Sequence, residues 1–372
     1  DFEELYLACY TVNCMIKFAD PTLILDVSRV IGIATITFAV AFGLTPLLTH
    51  FLYKYRFGKS VRNEGNTPIY SRLHASKAGT PVGGGIIVWG TVLILALLFL
   101  GLDYLFDSTF TEALNFLTRP QTLLPLGALV ASAIVGLIDD YLNVRKIGPQ
   151  GGGLKMKQRL MLYTAVAAFG AWWFYFKLEW SSIHVPGVAD YEIGWLYIPL
   201  FMLVIVATAF SVNEADGLDG LAGGILGFCF GAYTALSFAI GKIELAMLCA
   251  AIAGALLAFL WFNVYPARFF MGDTGAMSLG TTLGVIAMLT NTALVLPIIA
   301  FPLVLESASV IVQVLSKKFL GRKIFLSAPL HHHFEALGWP ETKVTMRFWI
   351  IAAVSAAAGL VLALLGRGEI VP

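Results

Sequence analysis

The chain has 372 residues, of which 58% are hydrophobic and only 13% charged. Soluble domains carry about a quarter charged residues, so the composition excludes an ordinary soluble domain and points to an integral membrane protein with many spans. The formal net charge of +1 decides nothing, because in a membrane protein the distribution of charge matters more than its sum.

Residues 1–22 are rich in aromatics and acids and are expected to form an outward-facing cap or interfacial segment. They lack a basic n-region followed by a small-residue cleavage site, so no signal peptide is expected. Within them, Cys9 and Cys14 are placed to pair if the segment faces an oxidising compartment. Ten apolar stretches follow, at 23–53, 82–102, 121–139, 159–177, 195–213, 218–240, 243–262, 274–291, 293–316 and 346–366. Each has about the 17–25 residues that a transmembrane helix needs, the first being longer and tilted or partly interfacial. Cys229 and Cys249 lie inside such runs and read as packing residues. The expected fold is all-α and polytopic: one ten-helix domain over 23–366, then a tail of 367–372.

The loops alternate in charge. Lys54, Arg56, Lys59, Arg62, Arg72 and Lys77 lie between spans one and two. Arg145, Lys146, Lys155, Lys157 and Arg159 lie between three and four, and Lys317, Lys318, Arg322, Lys323, Lys343 and Arg347 between nine and ten. The intervening loops carry Asp103, Asp107 and Glu112, then Glu179, Asp190 and Glu192. The positive-inside rule therefore places the basic loops in the cytoplasm and both termini outside.

Five polar motifs fall at the cytoplasmic ends. In "GLIDDYLNV", Asp139 and Asp140 diverge by about 100° on a helix; one is expected to meet a metal or phosphate while the other serves as a base. The alternative is a solvated helix end beside Lys and Arg. In "SVNEADGLDGLAGG", Asn213, Asp216 and Asp219 form one polar stripe if helical, and acids at membrane depth usually serve a site. Its glycines suit either close ligand approach or helix packing. In "NVYPARFFMGDTGAMSLG", Asp273 opens a new span beside Gly272, as a metal ligand or as a helix cap; Phe269 and Phe270 read first as packing residues. "SAPLHHHFEALGWP" sets His331, His332 and His333 in a basic loop, where phosphate binding or positioning is favoured over zinc. "HASKAGTPVGGG" puts Lys77 beside glycines that resemble a phosphate-cradling loop in composition, without the Walker A spacing. Carboxylates with cations at a lipid–water boundary suit Mg²⁺, a phosphorylated soluble substrate and a lipid substrate.

The strings "SKAGTPVGGG", "GLIDDY", "DGLDGLAGG", "FNVYPARFFMGDTGAMSLG", "ESASVIVQV" and "APLHHHFEALGWPETKVTMRFWI" together resemble the phospho-N-acetylmuramoyl-pentapeptide transferases. These are a branch of the polyprenyl-phosphate N-acetylhexosamine-1-phosphate transferase superfamily. The resemblance implies ten transmembrane helices in the bacterial cytoplasmic (inner) membrane and a cytoplasmic site requiring Mg²⁺. It implies transfer of phospho-MurNAc-pentapeptide from its UDP form to undecaprenyl phosphate, giving lipid I and UMP in peptidoglycan synthesis. Carried over residue by residue, it makes Asp273 the Mg²⁺ ligand and Asp139 the base, or a binding group, for the lipid phosphate. Asp140 becomes its essential neighbour. Lys77, Asp219, Asn263 and Phe270 would hold the nucleoside, with the Phe270 ring on uracil. Asn213, Asp216, Gln313 and His331 to His333 would line the rest. The partners implied are the two substrates, the bilayer and a second copy in a homodimer; no nucleic acid is expected.

The chain departs from the family pattern at Phe210, where Asn is usual, at Glu214–Ala215 in place of Leu–Thr, and at Val82 in place of Thr. Three competing readings stand beside the transferase. A related transferase for UDP-GlcNAc is opposed by the histidine loop. An ion-coupled transporter would set its acids near mid-membrane, and a non-catalytic scaffold has no use for so many acids.

Overall fold

The computed structural model describes residues 21–58, 77, 79–118, 121–148 and 152–367. The expectations for residues 1–20, including the Cys9–Cys14 pairing, and for the last five residues lie outside this range. In chain order the structure runs α1 (Pro21–Lys54), α2 (Ile86–Phe106), α3 (Thr109–Leu114), α4 (Leu123–Val144) and α5 (Met156–Lys177). A two-stranded hairpin follows, β1 (Ser182–Val185) and β2 (Ala189–Glu192). Then come α6 (Tyr197–Ala215), α7 (Leu221–Ala239), α8 (Ile243–Asn263), α9 (Gly272–Leu289), α10 (Leu296–Ile299), α11 (Phe301–Leu320), α12 (Leu330–Ala336) and α13 (Glu341–Leu365).

Each of the ten apolar stretches contains or overlaps one long helix. Seven of these, among the described residues, are long and apolar enough to cross a membrane: α1, α2, α4, α6 with its leading turn, α7, α8 and α13. The other three, α5, α9 and α11, carry more polar residues. For α9 the reason is its position. Every one of its residues except Asp273 is buried, so Thr274, Ser278, Thr281 and Thr282 meet protein rather than lipid. Ser278 and Thr282 each donate a hydroxyl hydrogen bond to the carbonyl four residues back, at 2.6 and 2.7 Å, which satisfies them inside the bundle.

The stretch at 293–316 is not one helix. It breaks at Ala300 into α10 and α11, and each piece carries a proline in its first turn, where the missing N–H has no intrahelical partner to lose. The hairpin is the one β-sheet among the described residues. Its strands pair antiparallel from Ser182↔Glu192 to Val185↔Ala189. The Gly187 N–H donates to the Gly366 carbonyl at 2.8 Å, which ties the hairpin to the end of α13.

Helix α9 is the centre of the bundle, packed against α4, α6 and α7, while α8 packs against α1, α2 and α7. The C-terminal ends of α4, α6 and α8 and the N-terminal ends of α5, α7, α9 and α13 meet at one end of the molecule. The hairpin marks the other.

Candidate active site

The site starts from a close helix crossing. Gly136 of α4 lies against the backbone of Asp273 and Thr274 with no room for a methyl group. Thr274 Oγ1 donates to the Ala133 carbonyl at 2.8 Å and accepts from Trp89 Nε1 at 3.1 Å. This contact brings the last turns of α4 onto the N-terminus of α9. There Asp140 accepts the N–H groups of Asp273 and Thr274, each at 3.0 Å. Asp216 accepts the Gly272 N–H at 3.0 Å. Two carboxylates thus satisfy unpaired donors at a helix N-terminus, where the dipole favours negative charge.

Asp139, one residue earlier, points elsewhere, as helical geometry requires. It is fully buried. Its Oδ1 accepts the Leu154 N–H at 2.6 Å, and its Oδ2 forms an ion pair with Arg159 Nε at 2.7 Å. Arg159 spans to a second acid: its Nη2 is 2.8 Å from Asp273 Oδ2. Asn213 completes the group, donating from Nδ2 to Asp273 Oδ1 at 2.6 Å. One guanidinium therefore sits between two carboxylates from different helices.

Asp139 and Asp273 form an acid pair built around a cation, and hard carboxylate oxygens are the donors that Mg²⁺ takes. No group of three or more His, Cys, Asp or Glu placed to hold a metal occurs among the described residues. Mg²⁺ does not need one. It binds through one or two carboxylates and fills its remaining positions with water and substrate phosphate. The residues fit that ion: Asp273, with Asp139 beside it, could hold it.

A second cluster lies next to the first. Lys77 Nζ is 2.7 Å from Asp219 Oδ1 and 2.5 Å from Glu341 Oε1. Burial opposes the lysine charge, but Glu341 and Asp219 outweigh it and hold the ammonium above its ordinary pKa. Glu341 also accepts the Asp219 N–H, and Asp219 Oδ2 accepts the Ala267 N–H. Asn263 accepts the Gly220 N–H and donates to the Phe269 carbonyl. Phe269 is fully buried. Phe270 is partly exposed, and Lys77 Nζ lies 5.7 Å from its ring centroid. An ammonium, a carboxylate and an available aromatic face thus meet at one place.

Two local expectations are corrected. Asn213, Asp216 and Asp219 do not form a helical stripe, because α6 ends at Ala215 and Gly220 enters α7 in the left-handed region, at φ +75°. The chain turns, sending Asn213 and Asp216 to the Asp273 segment and Asp219 to Lys77. Nor do all the glycines after Lys77 line a phosphate-cradling loop. Gly84 and Gly85 donate to the Phe270 and Met271 carbonyls at 2.8 and 2.9 Å, and Gly85 packs on Gly275 where a side chain has no space.

The histidines serve three different contacts. His331, fully buried, lies with Nδ1 3.0 Å from Glu306 Oε2. His332 Nδ1 is 2.7 Å from Glu335 Oε2. His333 Nδ1 accepts the Leu326 N–H at 3.1 Å. Gln313 accepts the N–H groups of Ile324 and Phe325 and donates to the Phe325 carbonyl, so it holds the loop that leads to the histidines.

Four ionisable residues in these contacts were not among the sequence candidates: Arg159, Glu341, Glu306 and Glu335. Arg159 read as part of a basic loop. The available signal was position, since Arg159 and Glu306 are charges at the edge of or inside apolar stretches, where charge is costly and kept for a purpose.

The family model described as glycosyl transferase family 4 matches residues 122–291, the segment from α4 to the end of α9 that carries Asp139, Arg159, Asp219 and Asp273. A phospho-N-acetylmuramoyl-pentapeptide-transferase of Shouchella clausii is 38% identical over 87% of this chain and 94% of its own length. That of Chloroflexus aggregans is 35% identical over 92% of each, and that of Bacillus subtilis 35% identical over 88% and 94%. Similarity of this extent shows the family, and the chain belongs to the phospho-N-acetylmuramoyl-pentapeptide transferases.

Proposed function

We propose that the protein transfers phospho-MurNAc-pentapeptide from UDP-MurNAc-pentapeptide to undecaprenyl phosphate, releasing UMP. The observation that carries this reading is the Asp139–Arg159–Asp273 cluster at the end of the bundle, beside the Lys77–Asp219–Phe270 cluster. The first suits phosphates and their counter-ion, and the second a uridine. Mg²⁺ held by Asp273 would supply charge neutralisation for the pyrophosphate.

The chain's own residues do the positioning. Lys77 and Phe270 hold the nucleotide, with Asp219 and Asn263 fixing the turn beneath it. Arg159 offers a guanidinium fork matched to phosphate geometry, and Asp139 orients that fork and receives any proton left on the lipid phosphate. A lipid phosphate oxygen attacks the donor phosphorus that bears the sugar. The new P–O bond forms as the bond to UMP breaks, and UMP departs with the electron pair. One phosphoanhydride replaces another, so the reaction is reversible. Phosphoryl transfer of this kind needs positioning and charge neutralisation more than covalent help. The site lies at the cytoplasmic face, among the basic loops, in a ten-crossing homodimeric protein of the bacterial inner membrane.

Conversion of a peptide-labelled donor into an organic-extractable product tests the reading. Product is expected only with undecaprenyl phosphate and Mg²⁺, lost with chelator and restored by Mg²⁺. Equal conversion of UDP-GlcNAc would favour the related transferase instead.

A further inference from the structure

The Glu306–His331 pair lies outside the two clusters above. Both side chains are fully buried. Glu306 Oε2 faces His331 Nδ1 at 3.0 Å and its backbone N–H at 3.4 Å. A carboxylate on Nδ1 requires the proton there, which fixes the tautomer and the ring plane. His331 Nε2 is then the open nitrogen. It is buried and without a hydrogen-bond partner among the described residues, and it is packed against Gly217, in the turn between Asp216 and Asp219.

Helix α11 is tied to α6 beside this pair, where Ser307 Oγ donates to Ser211 Oγ at 2.6 Å.

We propose that Glu306 is a positioning residue for the transfer reaction, holding His331 so that Nε2 takes a polar contact with the bound sugar-nucleotide donor. Glu306 sets the tautomer through Nδ1. The inference rests on the transferase reading, because turnover is its readout.

A double-mutant cycle tests it. Steady-state UMP release is measured for wild type, Glu306→Leu, Glu306→Gln, His331→Phe and each Glu306 variant combined with His331→Phe. Binding of UMP to each purified variant checks the fold, since the Lys77 cluster is separate. Glu306→Leu is expected to lower kcat by about 10–100-fold, with KM for the donor changed less than about threefold. Glu306→Gln, whose amide oxygen still accepts from Nδ1–H, is expected to recover most of that loss. In the His331→Phe background, Glu306→Leu should cost less than about twofold more. Losses that multiply in that background, or a Gln variant as impaired as Leu, would overturn the proposal. If Glu306→Leu no longer binds UMP, the Gln arm decides alone. Wild-type inactivity would count against the transferase reading itself, whereas additive losses in an active enzyme would count only against this inference.

Discussion

Arg159 is the residue on which the two best-placed acids depend. With it removed, Asp139 and Asp273 face each other without a cation in a mostly buried site. Breaking a buried ion pair by deleting one partner costs about 3–5 kcal/mol. Arg159→Met is therefore expected to lose at least about 100-fold in kcat and to melt several degrees lower in detergent, with partial recovery of stability as Mg²⁺ is raised. Unchanged melting would show that the acids do not share this cation. The adjacent acids should separate by role. Asp140→Asn weakens the cap on α9 and is expected to cost about 1–2 kcal/mol of stability. Asp139→Asn leaves Arg159 paired to Asp273 and should change stability by less than about 1 kcal/mol while lowering kcat. A thermal-shift series on the two variants checks this, and equal destabilisation would contradict it. The identities of these acids were legible in the sequence, and their divergence followed from helical geometry. Their partners were not, because Arg159 is 114 residues from Asp273 and only the fold joins them.

At the scale of elements, the decisive contact is α4 against α9. Gly136 allows it, and the Asp140 cap depends on it. Gly136→Ala is expected to push the helices apart, abolish most activity and lower the melting temperature. A variant with full activity would show that the crossing tolerates a side chain there, contrary to its backbone geometry. All ten long helices were legible as apolar stretches, since length and hydrophobicity are local properties. The break at Ala300 had a local signal in Pro297 and Pro302 that a hydropathy reading passes over. The turn at 216–220 was misread because i, i+3 spacing fits a helix until the glycines are given their weight. The burial of α9 had no local signal: a helix rich in Gly, Ser and Thr becomes the centre of the bundle only because neighbours cover it.

For the whole molecule, the site end and the hairpin end carry opposite charge patterns, and the membrane should lie between them. Single cysteines at Lys157 and Asp190, in a background with the four native cysteines replaced, test this with a membrane-impermeant thiol reagent. Asp190→Cys is expected to label in intact spheroplasts and Lys157→Cys only in inverted vesicles. The reverse pattern would turn the protein over in the membrane and place the site on the wrong side for a cytoplasmic nucleotide. Charge alternation sets this expectation without a structure, whereas the meeting of α4, α6, α9 and α13 at one site needed the fold. The most direct measurement is UMP release by the purified wild-type protein from UDP-MurNAc-pentapeptide, with and without undecaprenyl phosphate, beside Asp273→Ala. Release that requires the lipid and Mg²⁺ and falls at least about 1,000-fold in Asp273→Ala is the expected result. Release without the lipid, or an Asp273→Ala enzyme of near-normal rate, would contradict a transferase built on these carboxylates.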